Sequence, residues 1–224
     1  MAITVMEEIT CSCGEVFEAE VVQSVSAQTQ PELKEMVLAG ELNIVQCPAC
    51  KKFIFAEKFL LYHDAEQELL AFVYPLSMES RKVEIQESVL QQYRDLQQEL
   101  VGQDRLQYQP FLLFGLDRLC DLIHLEEQRQ DEFAIAASLC ETLGLTFYRI
   151  HQDAARKQNL PVVLPLGRAG KAVSLHERLL QGLQILVETN PALESYAELL
   201  RRLQEDPSWT LDPAWLKMQG DELA

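Results

Sequence analysis

The 224-residue sequence predicts an α+β fold, with a small β-rich N-terminal domain over residues 1–78 and an all-helical C-terminal domain over residues 79–224. Two observations carry this reading. Before residue 78, β-branched and aromatic residues cluster in short runs separated by turn residues, which is the pattern of strands. From about Ser77, apolar residues recur every three or four positions, which is the pattern of helices buried on one side.

In the first part, Val16, Phe17, Val21, Val22 and Val25 mark one strand region. Phe53 to Phe55 and Phe59 to Tyr62 mark another, and Leu69 to Tyr74 a third, ended by Pro75. Between the first two, Pro31 opens a short helix and Gly40 closes it, following the preference for proline at a helix start and glycine just past its end. Leu33, Met36 and Val37 form its apolar side.

In the second part, Ile85, Val89, Tyr93, Leu96 and Leu100 fall on one helical face, and Leu112, Leu116, Leu119 and Ile123 repeat the spacing. A third helix is expected from about Asp131 to Leu143, and a fourth over Phe147 to Lys157. Asn159 to Gly170 reads as a loop because it contains Pro161, Pro165, Gly167 and Gly170. Ser174 and Glu177 form a capping-box pair at the start of a helix striped by Leu175, Leu179, Leu183 and Leu186. Leu193, Ala197, Leu200 and Leu203 carry the last long helix, and Trp209 and Trp215 lie in a proline-broken tail expected to fold back on the helical core.

The most informative residues are four of the six cysteines. Cys11-Ser12-Cys13 precedes Gly14, and Cys47-Pro48-Ala49-Cys50 precedes Lys51. Two close pairs of thiolates on two turns can close a tetrahedral zinc site with bonds of about 2.3 Å. Gly14 suits a tight ligand-bearing turn, because glycine adopts left-handed backbone without strain. A β-rich domain this small also gains stability from such a staple. Two other chemistries use the same residues. A redox dithiol at Cys47 and Cys50 would want a helix N-terminus to acidify the thiol, and the segment that follows reads as a strand. An iron site satisfies the same ligand set.

The run from Cys11 to Tyr74 resembles the CpXC domain of bacteria and archaea. The resemblance rests on the leading cysteine pair, Pro31-Glu32-Leu33, Gly40-Glu41-Leu42-Asn43, Cys47-Pro48-Ala49-Cys50 and Leu61-Tyr62-His63-Asp64. Two positions depart from the family pattern: the first pair is CxC rather than CPxC, and Lys51 stands where a glycine often follows the second pair. The resemblance implies a zinc-ribbon-like fold for residues 1–78 and carries no activity with it.

Other candidates are weaker. His63-Asp64 follows an apolar strand; the carboxylate could orient the imidazole, or Asp64 could cap its own turn. Cys120 and His124 share a helical face next to an apolar stripe, which favours core packing for Cys120, as for Cys140. Gly167 to Lys171 lacks the spacing of a phosphate loop. Residues 149–171 nonetheless hold Arg149, Arg156, Lys157, Arg168 and Lys171 against Asp153 alone, a local excess that could take an anion or an acidic segment. No Ser-His-Asp ordering, HExxH or dinucleotide fingerprint is present.

Thirty-five acidic residues against 19 basic ones give a net charge of −16, which argues against nucleic acid and anionic membranes as partners. The start of the sequence lacks a basic stretch followed by an apolar one, so a cytoplasmic location is expected. The sequence therefore points to one structural zinc on Cys11, Cys13, Cys47 and Cys50, in a chain that binds protein partners or itself. The competing expectation is an enzyme or small-ligand binder whose cleft lies between the domains, near His63 and Asp64 and the basic residues Arg168 and Lys171.

Overall fold

A computed structural model describes residues 3–99, 106, 108–168 and 173–216. The chain divides into two compact units, Met1–His124 and Leu125–Ala224. The change of pattern near residue 78 is thus a change from strand to helix, and the first compact unit continues well beyond it.

The first unit begins with two antiparallel ribbons. Strands β1 (Thr4–Thr10) and β2 (Val16–Val22) form one; after β3 (Ser24–Ser26) and α1 (Pro31–Leu38), strands β4 (Ile44–Gln46) and β5 (Phe53–Phe55) form the other. Their inner residues meet in a small core of Ile9, Val21 and Ala56, with Val5, Phe17, Ala19, Val45 and Ile54 packed around it. Asn43 ties the ribbons together. Its side-chain oxygen accepts from Val22 N–H at 2.7 Å, its amide donates to Val22 C=O at 3.0 Å, and its own carbonyl accepts from Ala56 N–H at 2.9 Å. It does so from a left-handed backbone, φ 60°, which asparagine tolerates better than most residues. Asn43→Leu leaves both Val22 groups unpaired and is expected to destabilise this unit by about 2–3 kcal/mol, read as a lower melting temperature. Asn43→Asp, which keeps the acceptor, is expected to lose less.

The rest of the unit is a four-stranded sheet in the order β3-β6-β7-β8, with β6 (Leu60–Asp64), β7 (Leu69–Tyr74) and β8 (Phe111–Phe114). β6 and β7 are antiparallel; β3 runs parallel to β6, and β8 parallel to β7. β7 is a continuous apolar run because both its faces are buried. Leu69, Ala71 and Val73 face a core shared with Val37 of α1 and with Leu119 and Ile123 of α3 (Leu116–Leu143). Leu70 and Phe72 face Ile85 and Val89 of α2 (Lys82–Glu99) and Tyr108. Helix α2 therefore covers the sheet of the first unit.

In the second unit, Gly144 (φ 64°) ends α3 and the chain turns into β9 (Thr146–Arg149). Helix α4 (Gln152–Gln158) leads to β10 (Val163–Leu166), which pairs antiparallel with β9. Helices α5 (Leu175–Thr189) and α6 (Glu194–Glu205) complete a core that includes Ile150, Leu164, Leu183, Leu186, Tyr196 and Leu203. The capping box at Ser174 and Glu177 forms as expected, with Glu177 N–H donating to Ser174 Oγ and Ser174 N–H to the Glu177 carboxylate. The tail does fold back. Trp209 and Trp215 pack on the core, and His151 N–H donates to Trp215 C=O at 2.8 Å.

Among its described residues, the half expected to be wholly helical thus contains three short strands. Phe111–Phe114 extends the helical spacing seen at Leu116, Leu119 and Ile123, but Gly115 (φ 86°) breaks the chain there and the apolar run pairs with β7. Thr146–Arg149 and Val163–Leu166, expected as helix and loop, pair with each other instead. The two helices expected around Leu116–Ile123 and Asp131–Leu143 are one, since neither glycine nor proline interrupts the run between them.

Candidate metal centre

Both cysteine pairs sit on the turns of the ribbons. In the first turn, Cys11 N–H donates to Glu15 C=O and Gly14 N–H to Cys11 C=O, with Gly14 at φ 93°. In the second, Cys47 N–H donates to Lys52 C=O and Lys51 N–H to Cys47 C=O, with Lys51 at φ 62°. Each turn therefore closes on itself with one residue in the left-handed region, and the small core between the ribbons brings the two turns together.

The four sulfurs converge. Cys11 Sγ lies 3.5 Å from Cys50 Sγ and Cys13 Sγ lies 3.8 Å from Cys47 Sγ, and all four lie within 4.8 Å of one another. Thiolates at 2.3 Å from a tetrahedral centre would stand about 3.8 Å apart, so the set fits a metal ion. The one-residue spacing of Cys11 and Cys13 does not prevent this. Cys11 and Cys47 are buried, Cys50 is half-buried and Cys13 is exposed.

The thiols affect one another strongly. Cys11 is pulled down to about 6, first by the backbone N–H of Cys13 and then by hydrogen bonds from the other three thiols, against the cost of burial. Cys13 benefits from the Glu15 backbone N–H, but sharing protons with Cys11, burial, Cys50 and Cys47 together push it up to about 12. The cluster gives up one proton easily and resists losing the next. A cation at the centre removes that resistance, because it compensates the charge the thiolates impose on one another.

A family model described as CpXC protein matches residues 9–138. The chain belongs to the CpXC family. No curated protein and no solved structure matches it. The CpXC match extends past the cysteines through β8 and into α3, and so includes the strand and helix that complete the core of the first unit. The resemblance read from Cys11 to Tyr74 covers only the first half of that stretch.

The remaining candidates occupy other places in the fold. His63 and Asp64 point to opposite faces of β6, as neighbours on a strand must. Asp64 is buried and caps the β6–β7 turn, accepting from Gln67 N–H at 3.0 Å and from the Gln28 amide at 2.6 Å. His63 Nε2 is 2.6 Å from the Tyr108 hydroxyl, on the α2 side of the sheet. They do not form an oriented acid–base pair. Neither the cavity beside Leu42 and Tyr74 nor the one beside Glu132 and Tyr196 is lined by His63 or Asp64.

Burial holds the His63 imidazole below its ordinary 6.5, against an opposing pull from Asp64. Its neutral form is favoured in the folded state, so the unfolded chain binds the proton first. Stability from this group is complete above pH 6.5 and is lost as pH falls below it. His63→Gln is expected to flatten the melting temperature between about pH 6.5 and pH 5 relative to the unmodified chain.

Three residues of the basic stretch have partners, one of them the stretch's own acid. Arg156 donates to Glu126 at 2.8 Å, and Glu126, itself 2% exposed, also takes Arg129 at 2.9 Å. Lys157 pairs with Asp153 at 2.7 Å, and the Arg149 guanidinium lies 4.6 Å from the Phe133 ring centre. Arg168 belongs to the second unit and is exposed; Lys171 lies outside the described residues. Cys120 donates to Val37 C=O at 3.1 Å beneath α1, and Cys140 is buried in the second core, where burial pushes its thiol up to about 11. Tyr108 and Glu126 carry no mark in the sequence, since each acts on a partner distant in the chain, and Asn43 stands out only as part of the family motif. No helix among the described residues is long and apolar enough to cross a membrane.

Proposed function

We propose that this CpXC chain is a protein–protein interaction module whose two cysteine-bearing ribbons, within the first 78 residues, form a zinc-ribbon-like layer held by one structural zinc on Cys11, Cys13, Cys47 and Cys50. The observation that carries the reading is the convergence of four thiols from two self-closed turns, with spacings that suit a tetrahedral ion. Four thiolates fill all four positions, which leaves no site for a water or substrate and favours a structural role over Lewis-acid chemistry. Zinc fits such a set without a redox requirement. β5, rather than a helix, follows Cys50, so neither Cys47 nor Cys50 has the helix N-terminus of a redox dithiol. A reducing cytoplasm suits cysteines that act as thiolates. The interaction role is supported by the exposed apolar residues on the ribbons themselves, Phe53 above all at 73%.

Elemental mass spectrometry on untagged protein tests the metal. One zinc per chain is expected, with four thiols protected until a chelator is added. Stoichiometric iron with visible absorbance, or reversible oxidation of Cys47 and Cys50 in a metal-free chain, would overturn the zinc reading.

A further inference from the structure

The β4–β5 ribbon is apolar on both sides. Val45 and Ile54 face the small core against β1 and β2. On the other side Ile44, Phe53 and Phe55 are exposed. Ile44 stands opposite Phe55 and Gln46 opposite Phe53, so the three apolar side chains share one face. They present on the order of 300 Å² of apolar surface, a size at which patches on soluble proteins are often functional. Exposed Lys51 and Lys52 border this face at the turn, on a chain that is otherwise strongly acidic.

The occupant can be argued from the charge. A two-fold contact of this face with itself would bring together the Lys51-Lys52 pairs of both copies. The outer face of the β1–β2 ribbon has the complementary character. Met6 and Val16 are exposed there at 61% and 51%. Glu8 lies directly opposite Glu18, and Met6 opposite Glu20. Like charges facing each other across a ribbon are unfavourable, and an incoming cation relieves them. We propose that the outer face of β4–β5 in one copy docks on the outer face of β1–β2 in a second copy, with Phe53 and Phe55 against Met6 and Val16, and Lys51 and Lys52 against Glu8 and Glu18. The inner faces of both ribbons meet around Ile9, Val21 and Ala56, so the two outer faces lie on opposite sides of the cysteine-bearing layer. The contact is therefore heterologous: each bound copy keeps one face free, and assembly continues until a ring closes. A patch this small belongs to weak, reversible contacts. The inference rests on reading the cysteine-bearing layer as an interaction module.

Sedimentation velocity on the full chain, from about 5 μM to about 500 μM, tests it. The unmodified chain is expected to associate with rising concentration, and more weakly at high salt. Phe53→Ser and Glu18→Lys each damage one face at an exposed position, and each alone is expected to remain monomeric. Mixed in equal amounts they are expected to form a dimer and stop there, since each supplies the face the other lacks. A monomeric unmodified chain overturns the proposal and assigns the face to a different protein. So does association that Glu18→Lys leaves intact, which would mean a two-fold contact, or a mixture that stays monomeric. Metal content of the same samples separates the two readings: association without zinc defeats the zinc site alone, and zinc without association defeats the docking alone.

Discussion

Cys47→Ser is expected to abolish stoichiometric metal binding and to unfold the two ribbons while the second unit stays folded. Cys47 is fully buried, with its sulfur 3.8 Å from that of Cys13. Serine there supplies a harder, poorer ligand and leaves three thiolates without a complete shell. The layer has little else to hold it. Its core contains three buried residues, Ile9, Val21 and Ala56, and two- and three-residue cores do not offset the chain entropy of four ordered strands. In small domains a structural zinc contributes roughly 10–16 kcal/mol to folding, so most of the stability of this layer is expected to come from the ion. The four-stranded sheet has its own cores around Tyr62 and Phe72, and the second unit a core of its own. Hydrogen exchange should therefore show amides of Thr4–Thr10, Val16–Val22, Ile44–Gln46 and Phe53–Phe55 losing protection first, in Cys47→Ser and in chelator-treated protein alike. Cys140→Ala, which removes a thiol from the second core, should leave metal content unchanged. Normal metal content and unchanged protection of the ribbons in Cys47→Ser would sink the structural reading.

The ligand set was legible because its information is local. Cys11 and Cys13, or Cys47 and Cys50, declare a turn within a few residues, and one strand beside each turn, β2 and β5, follows from composition. The same holds for α1, framed by Pro31 and Gly40, and for α5, where the hydroxyl of Ser174 and the carboxylate of Glu177 mark the start. Features set by distant partners were not legible. β8 is a four-residue apolar run, which periodicity cannot distinguish from a buried helical turn; only its pairing with β7, some forty residues earlier, makes it a strand. β10 contains Pro165, which reads as a breaker, yet a two-stranded ribbon tolerates it because no third strand needs its missing N–H. β1 mixes apolar residues with Glu7 and Glu8 and shows its character only against β2. Among the side chains, His63 finds Tyr108 and Arg156 finds Glu126 across 45 and 30 residues, separations at which a single sequence carries no signal. The pairing of Arg156 with Glu126 is therefore a property of the fold alone.

Gly182→Ala is expected to destabilise the second unit by about 2–3 kcal/mol, although the same change in an isolated helix would stabilise by about 1 kcal/mol. Gly182 is buried in the middle of α5, between Leu179, Leu183 and Leu186, on the face that packs against β10. A Cβ at this position would overlap the Pro165 carbonyl oxygen, stand 2.5 Å from its carbon and 2.8 Å from Leu166 N. These are backbone atoms, so no rotamer change can make room. The strand cannot retreat cheaply either. It is paired to β9 on its other side, and just beyond its end Gly167 N–H donates to Arg178 C=O at 2.7 Å, tying it to the same helix. The methyl group must therefore separate helix from strand along a core built from Leu164, Leu166, Leu179 and Leu183. For a unit of this size the cost corresponds to a fall of about 10–20 °C in the melting transition. Metal content and ribbon protection in the first unit should be unchanged, which distinguishes this effect from general misfolding. A melting temperature equal to or above that of the unmodified chain would mean that helix propensity outweighs the close approach, and that α5 and β10 are less tightly joined than their backbones imply.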